Sequence, residues 1–206
     1  MTMRRTPPFL SAVCPALWLA LCLAGCQSGS GTGSADTRPP LAGAKIGGPF
    51  TLIDENGHTV TDRSFAGKYR VMYFGYTYCP DVCPVDVQTI AGGMAELEKR
   101  DPDLAARVVP IFVTVDPARD TPAVLKQFTA AFSPKLVGLT GSAPAIAQAE
   151  QAYAVYASKG LASPGGYLVN HSRQAYLMDP DNHPLALVPQ DETPKAVADT
   201  IQKWAK

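Results

Sequence analysis

Two cysteines four positions apart, each followed by a proline, mark the segment Thr77-Tyr78-Cys79-Pro80-Asp81-Val82-Cys83-Pro84. A thiol pair at this spacing has three chemistries open to it: a small structural disulfide, a dithiol–disulfide redox couple, or two sulfur ligands for a soft metal. The first is poorly motivated, because cross-linking stabilises through the loop it closes and this loop is short. The redox chemistry needs a thiolate, a resolving thiol and access. Metal binding needs further ligands. Of the three histidines, His58 follows the turn Asn56-Gly57 and His183 lies in Asp179-Pro180-Asp181-Asn182-His183-Pro184, so both read as solvated turn residues. His171, in GYLVNHSRQAYLM, lies between two apolar segments and is the candidate third ligand. Two thiolates and one imidazole form a soft set: thiolates select Cu(I), and imidazole suits both copper states. Zinc takes the same ligands and leaves a fourth position open. The residue types alone leave copper and zinc both standing.

These residues need a scaffold, and the hydrophobic pattern supplies one. The run from Arg70 to Gly75 reads as a buried strand leading into the cysteines. Val85 to Arg100 reads as a helix with Val87, Ile90, Met94 and Leu97 on one face. Pro84 disfavours helical conformation at Cys83 and suits the first helical position. Cys83 is therefore expected as the N-cap, with Cys79 in the loop before it. A thiolate at such a helix start is favoured by the free N–H groups and the dipole. Gly92-Gly93 inside the helix costs on the order of 1 kcal/mol per residue relative to Ala, with no reason visible in the sequence.

Phe50 to Ile53 and Thr59 to Thr61 flank the Asn56-Gly57 turn as a hairpin. Ile111 to Val115 is a second buried strand, with Pro110 expected at the start of its ladder. Helices follow at Pro122 to Phe132 and Ala143 to Tyr156, with a short strand at Lys135 to Leu139 between them. SKGLASPGG reads as a Gly/Ser loop, and strands at Tyr167 to Val169, Gln174 to Met178 and Leu185 to Val188 come next. A final helix spans Thr193 to Ala205, with Thr193 as N-cap and Pro194 opening it. This order predicts an α/β domain with a mixed central sheet.

The first 25 residues are set apart. Arg4 and Arg5 precede an apolar stretch from Phe9 to Leu23, the layout of a secretory signal peptide. Leu23-Ala24-Gly25-Cys26 is similar to a bacterial lipobox, which implies cleavage before Cys26, lipidation there and attachment to a membrane surface. Residues 26–40, rich in Gly, Ser and Pro, read as a flexible tether, and 41–206 as the folded domain. Cys14 and Cys22 leave with the signal, so Cys79 and Cys83 are the thiols left to the domain. From Cys26 onward 16 Lys and Arg face 18 Asp and Glu. With no basic stripe, nucleic acid is not an expected partner.

Three segments in order, YFGYTYCPDVCP, VTVDPARDTP and YLVNHSRQAYLMDPDN, resemble the Sco/SenC copper proteins, and the resemblance covers most of 41–206. It implies a thioredoxin-like fold: a central mixed sheet flanked by helices, with an N-terminal hairpin and a His-bearing loop insertion. It implies that Cys79, Cys83 and His171 bind one copper ion as Cu(I) or Cu(II), and that the two cysteines also form a redox-active disulfide. The implied role is a periplasm-facing, membrane-tethered metallochaperone for the dinuclear copper centre of cytochrome c oxidase, with other copper chaperones as further partners. The inner membrane is favoured by that role, and a thiol-disulfide oxidoreductase is the alternative function. The family more often has Asp before the ligand His, and here the residue is Asn170. In VTVDPARDTP, Asp116, Arg119 and Asp120 read first as a strand-to-helix loop closed by a Thr121 cap and Pro122. The competing reading puts Asp116 or Asp120 in the outer shell of the metal.

Overall fold

The computed structural model describes residues 37–163 and 166–206. The signal segment, the lipobox cysteine and most of the tether lie outside the described residues. The strands are β1 (Thr51–Asp54), β2 (Thr59–Thr61), β3 (Tyr69–Gly75), β4 (Val108–Thr114), β5 (Val137–Thr140), β6 (Ala157–Ser163), β7 (Gly166–His171), β8 (Ala175–Met178) and β9 (Pro184–Val188). The helices are α1 (Val82–Arg100), α2 (Pro102–Ala105), α3 (Pro122–Ala130), α4 (Ala143–Ala152) and α5 (Pro194–Trp204). Seven strands form one sheet in the order β2-β1-β5-β4-β3-β8-β9, while β6 and β7 form a separate two-stranded ribbon.

The centre of the sheet is parallel, with β3 beside β4 and β4 beside β5, and its flanks are antiparallel. Every residue of β3 is buried, Arg70 included, as its apolar run from Val71 to Phe74 predicts for a strand covered on both faces. This is the expected mixed α/β fold. Among the described residues no helix is long and apolar enough to cross a membrane.

Pro110 sits within β4, opposite Val71, so the β3 ladder starts two residues before it. The β5 ladder does begin just after it, at Ile111. The missing N–H is tolerated because β5 does not pair at that position. The double glycine in α1 also gains its reason. A Cβ on Gly93 would stand 2.4 Å from Val197 Cγ1, and one on Gly92 would stand 3.0 Å from the Pro194 ring. The glycines let α5 lie against α1 at backbone distance.

The largest departure is SKGLASPGG. Most of it is β6, paired antiparallel with β7 from Ala157↔His171 to Ser163↔Gly166, with an irregularity between Lys159 and Ala162. The His-bearing insertion is therefore a ribbon, and β7 runs on through His171. Small residues, an exposed Leu161 and the irregularity hide the two-residue period by which a strand is recognised.

Candidate metal centre

The site forms at the carboxyl end of β3, the edge where parallel α/β sheets gather their functional loops. Residues 76–81 leave β3 and turn into α1. The N-cap of that helix is Asp81 and the helix begins at Val82. Cys83 is thus its second residue, a correction to the expected N-cap. Pro84 falls third, inside the first turn, where its missing N–H removes no intrahelical bond. The Asp81 side chain makes no capping hydrogen bond. Instead the Cys83 N–H donates to the Cys79 sulfur at 3.5 Å. The sulfur that receives the free N–H groups of the helix is that of Cys79, from the loop.

The two thiols, both free, differ sharply in environment. Cys83 is fully buried and Cys79 partly exposed. The Cys83 sulfur lies over Gly75, where a Cβ would come within 3.3 Å of it. A hydrogen bond from the Cys83 thiol, with the N–H groups of Cys83 and Asp81, holds the Cys79 thiol well below the usual thiol range, against the effect of its burial. The proton kept in that bond to Cys79, together with burial, pushes the Cys83 thiol up. The bond between them thus drives the two thiols apart, Cys79 lowered and Cys83 raised, so they titrate as a pair.

His171, at the end of β7, comes to the pair from the opposite side. Its Nε2 is 3.3 Å from the Cys83 sulfur. Its Nδ1 is 2.7 Å from the Ser172 carbonyl oxygen, which can only accept, so Nδ1 carries the proton and Nε2 keeps its lone pair toward the sulfurs. The Tyr76 ring meets the imidazole edge-on, 5.7 Å between centroids at 89°. Three sequence-predicted residues, of which Cys83 and His171 lie 88 positions apart in the chain, are thus brought to one place. They meet in pairs. Among the described residues no group of three or more His, Cys, Asp or Glu side chains is placed so as to hold a metal ion as it stands. As a donor set, two sulfurs and one unprotonated imidazole nitrogen fit a soft, low-coordinate ion.

Asp120 and Asp116 act on the loops. Asp120, fully buried, accepts from the Thr77 N–H at 3.0 Å, the Thr77 hydroxyl at 2.6 Å and the Thr114 hydroxyl at 2.6 Å. It thereby pins the start of the cysteine loop to the end of β4. Asp116 accepts from Arg119 Nε at 2.5 Å and from the Tyr167 hydroxyl at 2.7 Å. The Arg119 guanidinium lies 3.8 Å from the Tyr167 ring centre and 4.8 Å from that of Tyr78. Thr121 caps α3 through the Val124 N–H, as the sequence leads one to expect.

The sequence reading missed a second buried acid. Asp86, three residues after Cys83, is fully buried. It accepts from the Tyr73 hydroxyl at 2.9 Å and from Arg173 Nε and Nη2 at 2.8 and 2.7 Å. Burial, together with the neighbouring Cys83 and Asp86, pushes the Tyr73 phenol up. The signal was a carboxylate on a helix face otherwise occupied by Cys83, Val87 and Ile90, which calls for a partner cation.

Comparison with known proteins bears on the whole domain. The family model described as SCO1/SenC matches residues 38–206. The chain belongs to the SCO1/SenC family. It is 46% identical over 180 residues to protein SenC of Rhodobacter capsulatus, covering 86% of this chain and 75% of that one. With the mitochondrial SCO1 homolog 1 of Arabidopsis thaliana it shares 43% over 143 residues, which is 69% of this chain but 42% of that longer protein. Among solved structures, ScoI of Bradyrhizobium japonicum with copper bound superposes with a TM-score of 0.70 at 40% identity, covering 77% of this chain and 99% of that one. Yeast Sco1 with copper bound gives 0.70 at 35% identity, covering 77% and 87%. The thioredoxin-like α/β fold expected from the sequence is that of these family members.

Proposed function

We propose that this SCO1/SenC protein is a copper carrier that holds one copper ion between Cys79, Cys83 and His171 and supports assembly of the dinuclear copper centre of cytochrome c oxidase. The observation that carries the ligand assignment is the direction of His171: Nδ1–H is committed to the Ser172 carbonyl, and Nε2 faces the buried sulfur at 3.3 Å. A thiolate pair suits Cu(I), and the added imidazole makes the set tolerant of Cu(II). Copper bound to relatives at 35–40% identity supports the choice of copper over zinc. The Leu-Ala-Gly-Cys26 sequence supports a lipid tether, with the domain working on the periplasmic side of a bacterial membrane.

The chain's own contribution is to keep one thiolate ready, bury its partner and hold the imidazole in the correct tautomer. The test is copper content and absorption spectrum of the reduced protein and of His171→Ala. The wild type is expected to take up one copper per chain with a thiolate-to-Cu(II) charge-transfer band. An unchanged affinity and spectrum in His171→Ala would remove the three-ligand assignment.

A second reading, thiol-disulfide exchange on a partner's cysteines, is favoured by the depressed Cys79 thiol beside a buried resolving thiol. It needs both cysteines and not His171. Reductase activity that survives His171→Ala while copper binding falls is the result that separates the two.

A further inference from the structure

The ribbon that carries His171 is a sheet of its own, with no ladder joining it to the seven-stranded sheet. His171 itself pairs with Ala157 of β6, so where the ribbon end and its imidazole stand relative to the main sheet is set by side chains and by the segment that leaves β7. That segment is tied down two residues after His171. Arg173 places both Nε and Nη2 on the Asp86 carboxylate, and its own carbonyl accepts from Gln190 Nε2 at 2.7 Å. Asp86 lies one turn along α1 from Cys83, with no exposed surface, and the Tyr73 phenol fixes one of its oxygens. The chain segment bearing the histidine and the helix bearing the buried cysteine are thus cross-tied by a two-point, charge-assisted contact right beside the place where Nε2 meets the sulfur. A bidentate guanidinium–carboxylate pair fixes direction as well as distance, which a lysine does not.

We propose that Arg173 is a positioning residue: held by Asp86, it sets the place of the His171 imidazole relative to the Cys83 sulfur. The consequence for metal affinity rests on the copper reading above, while the positional part does not. A pair that served only to neutralise Asp86 would stabilise the fold without governing the imidazole, so the test separates stability from position.

The full, reduced chain is compared as wild type, Arg173→Lys, Arg173→Gln, and Arg173→Gln combined with Asp86→Asn. The last variant removes the buried unpaired charge, and so stays folded if the single variant does not. Without metal, the His171 ring-proton shifts are followed by NMR, since the edge-on Tyr76 ring gives them a distinctive ring-current displacement. Copper(I) affinity is then measured by competition with a chromogenic chelator, with His171→Ala as the reference. In both Gln variants the ring-proton shifts are expected to move toward those of a free imidazole, and affinity to fall about tenfold, with Lys recovering part of each. Unmoved His171 shifts in the folded double variant would overturn the proposal. Moved shifts together with a His171→Ala protein that binds Cu(I) as tightly as the wild type would leave the positional role standing and remove the copper assignment instead.

Discussion

Replacing Asp120 with alanine removes the peg between the cysteine loop and β4. Three donors lose their acceptor: the Thr77 N–H, the Thr77 hydroxyl and the Thr114 hydroxyl, at 3.0, 2.6 and 2.6 Å. Hydrogen bonds to a charged group contribute about 1.5–3 kcal/mol each, so three would give about 4–9 kcal/mol if simply added. Two effects reduce this. Burial raises the Asp120 carboxyl above its ordinary range even with these bonds in place, so holding the charge there already costs free energy that alanine returns. The Thr77 hydroxyl, only half-buried, can also turn to water. The loss is then set mainly by the stranded donors, at about 1–3 kcal/mol for each that stays buried, and comes to about 2–4 kcal/mol in all.

Asp120→Asn keeps one acceptor oxygen in place and is expected to lose about 1 kcal/mol. Urea unfolding of the reduced protein, with both variants at constant m-value, reads these differences directly. Thr77 lies two residues before Cys79, so Asp120→Ala should also quicken hydrogen exchange at the Thr77 and Cys79 amides. A midpoint for Asp120→Ala within about 0.5 kcal/mol of wild type would refute the peg, since that is the range of a neutral surface substitution.

Gly93→Ala would ordinarily stabilise a helix by about 1 kcal/mol, but the new Cβ would lie 2.4 and 2.5 Å from Val197, so a net loss of about 1–2 kcal/mol is expected in the same urea assay. Gly92→Ala, at 3.0 and 3.2 Å from the Pro194 ring, should be near neutral. The depressed Cys79 thiol predicts alkylation by iodoacetamide that is almost flat between about pH 5 and about pH 8, in contrast to the tenfold-per-unit rise of an ordinary thiol. Because the folded value lies below the unfolded one, the stability Cys79 contributes is present above the ordinary thiol range and declines as pH falls toward the depressed value; Cys79→Ser should flatten that part of the stability profile. Tyr167→Phe keeps the ring on Arg119 but loses the bond to Asp116, so amide exchange across β6 and β7 should quicken about five- to tenfold while β3 and β4 stay unchanged.

Much of the scaffold could be read from the chain because its buried strands and helices are long and locally consistent. The β3 run, the apolar stripe of α1 and the Thr-Pro openings of α3 and α5 each match their element. The three candidate ligands were legible by chemical type, and the structure brings them together. Three things were not legible. The helix start slipped by two residues because the preference against helical backbone before Pro84 yielded to the first-turn position that proline also favours. β6 was hidden because a solvent-facing ribbon needs no apolar alternation. Asp86–Arg173 and Asp116–Arg119–Tyr167 were invisible as pairs because their members are 87 and up to 51 positions apart. Only the fold makes them neighbours.

The unequal exposure of the two sulfurs has a consequence for traffic through the site. Cys83 rests on Gly75 with no surface open to solvent, whereas Cys79 faces outward from the loop. Any incoming thiol, oxidant or metal carrier must therefore engage Cys79 first, and Cys83 enters only from within. The site has a front door and an inner lock, so exchange at this centre is sequential, and the order of the steps is written in the burial of one side chain.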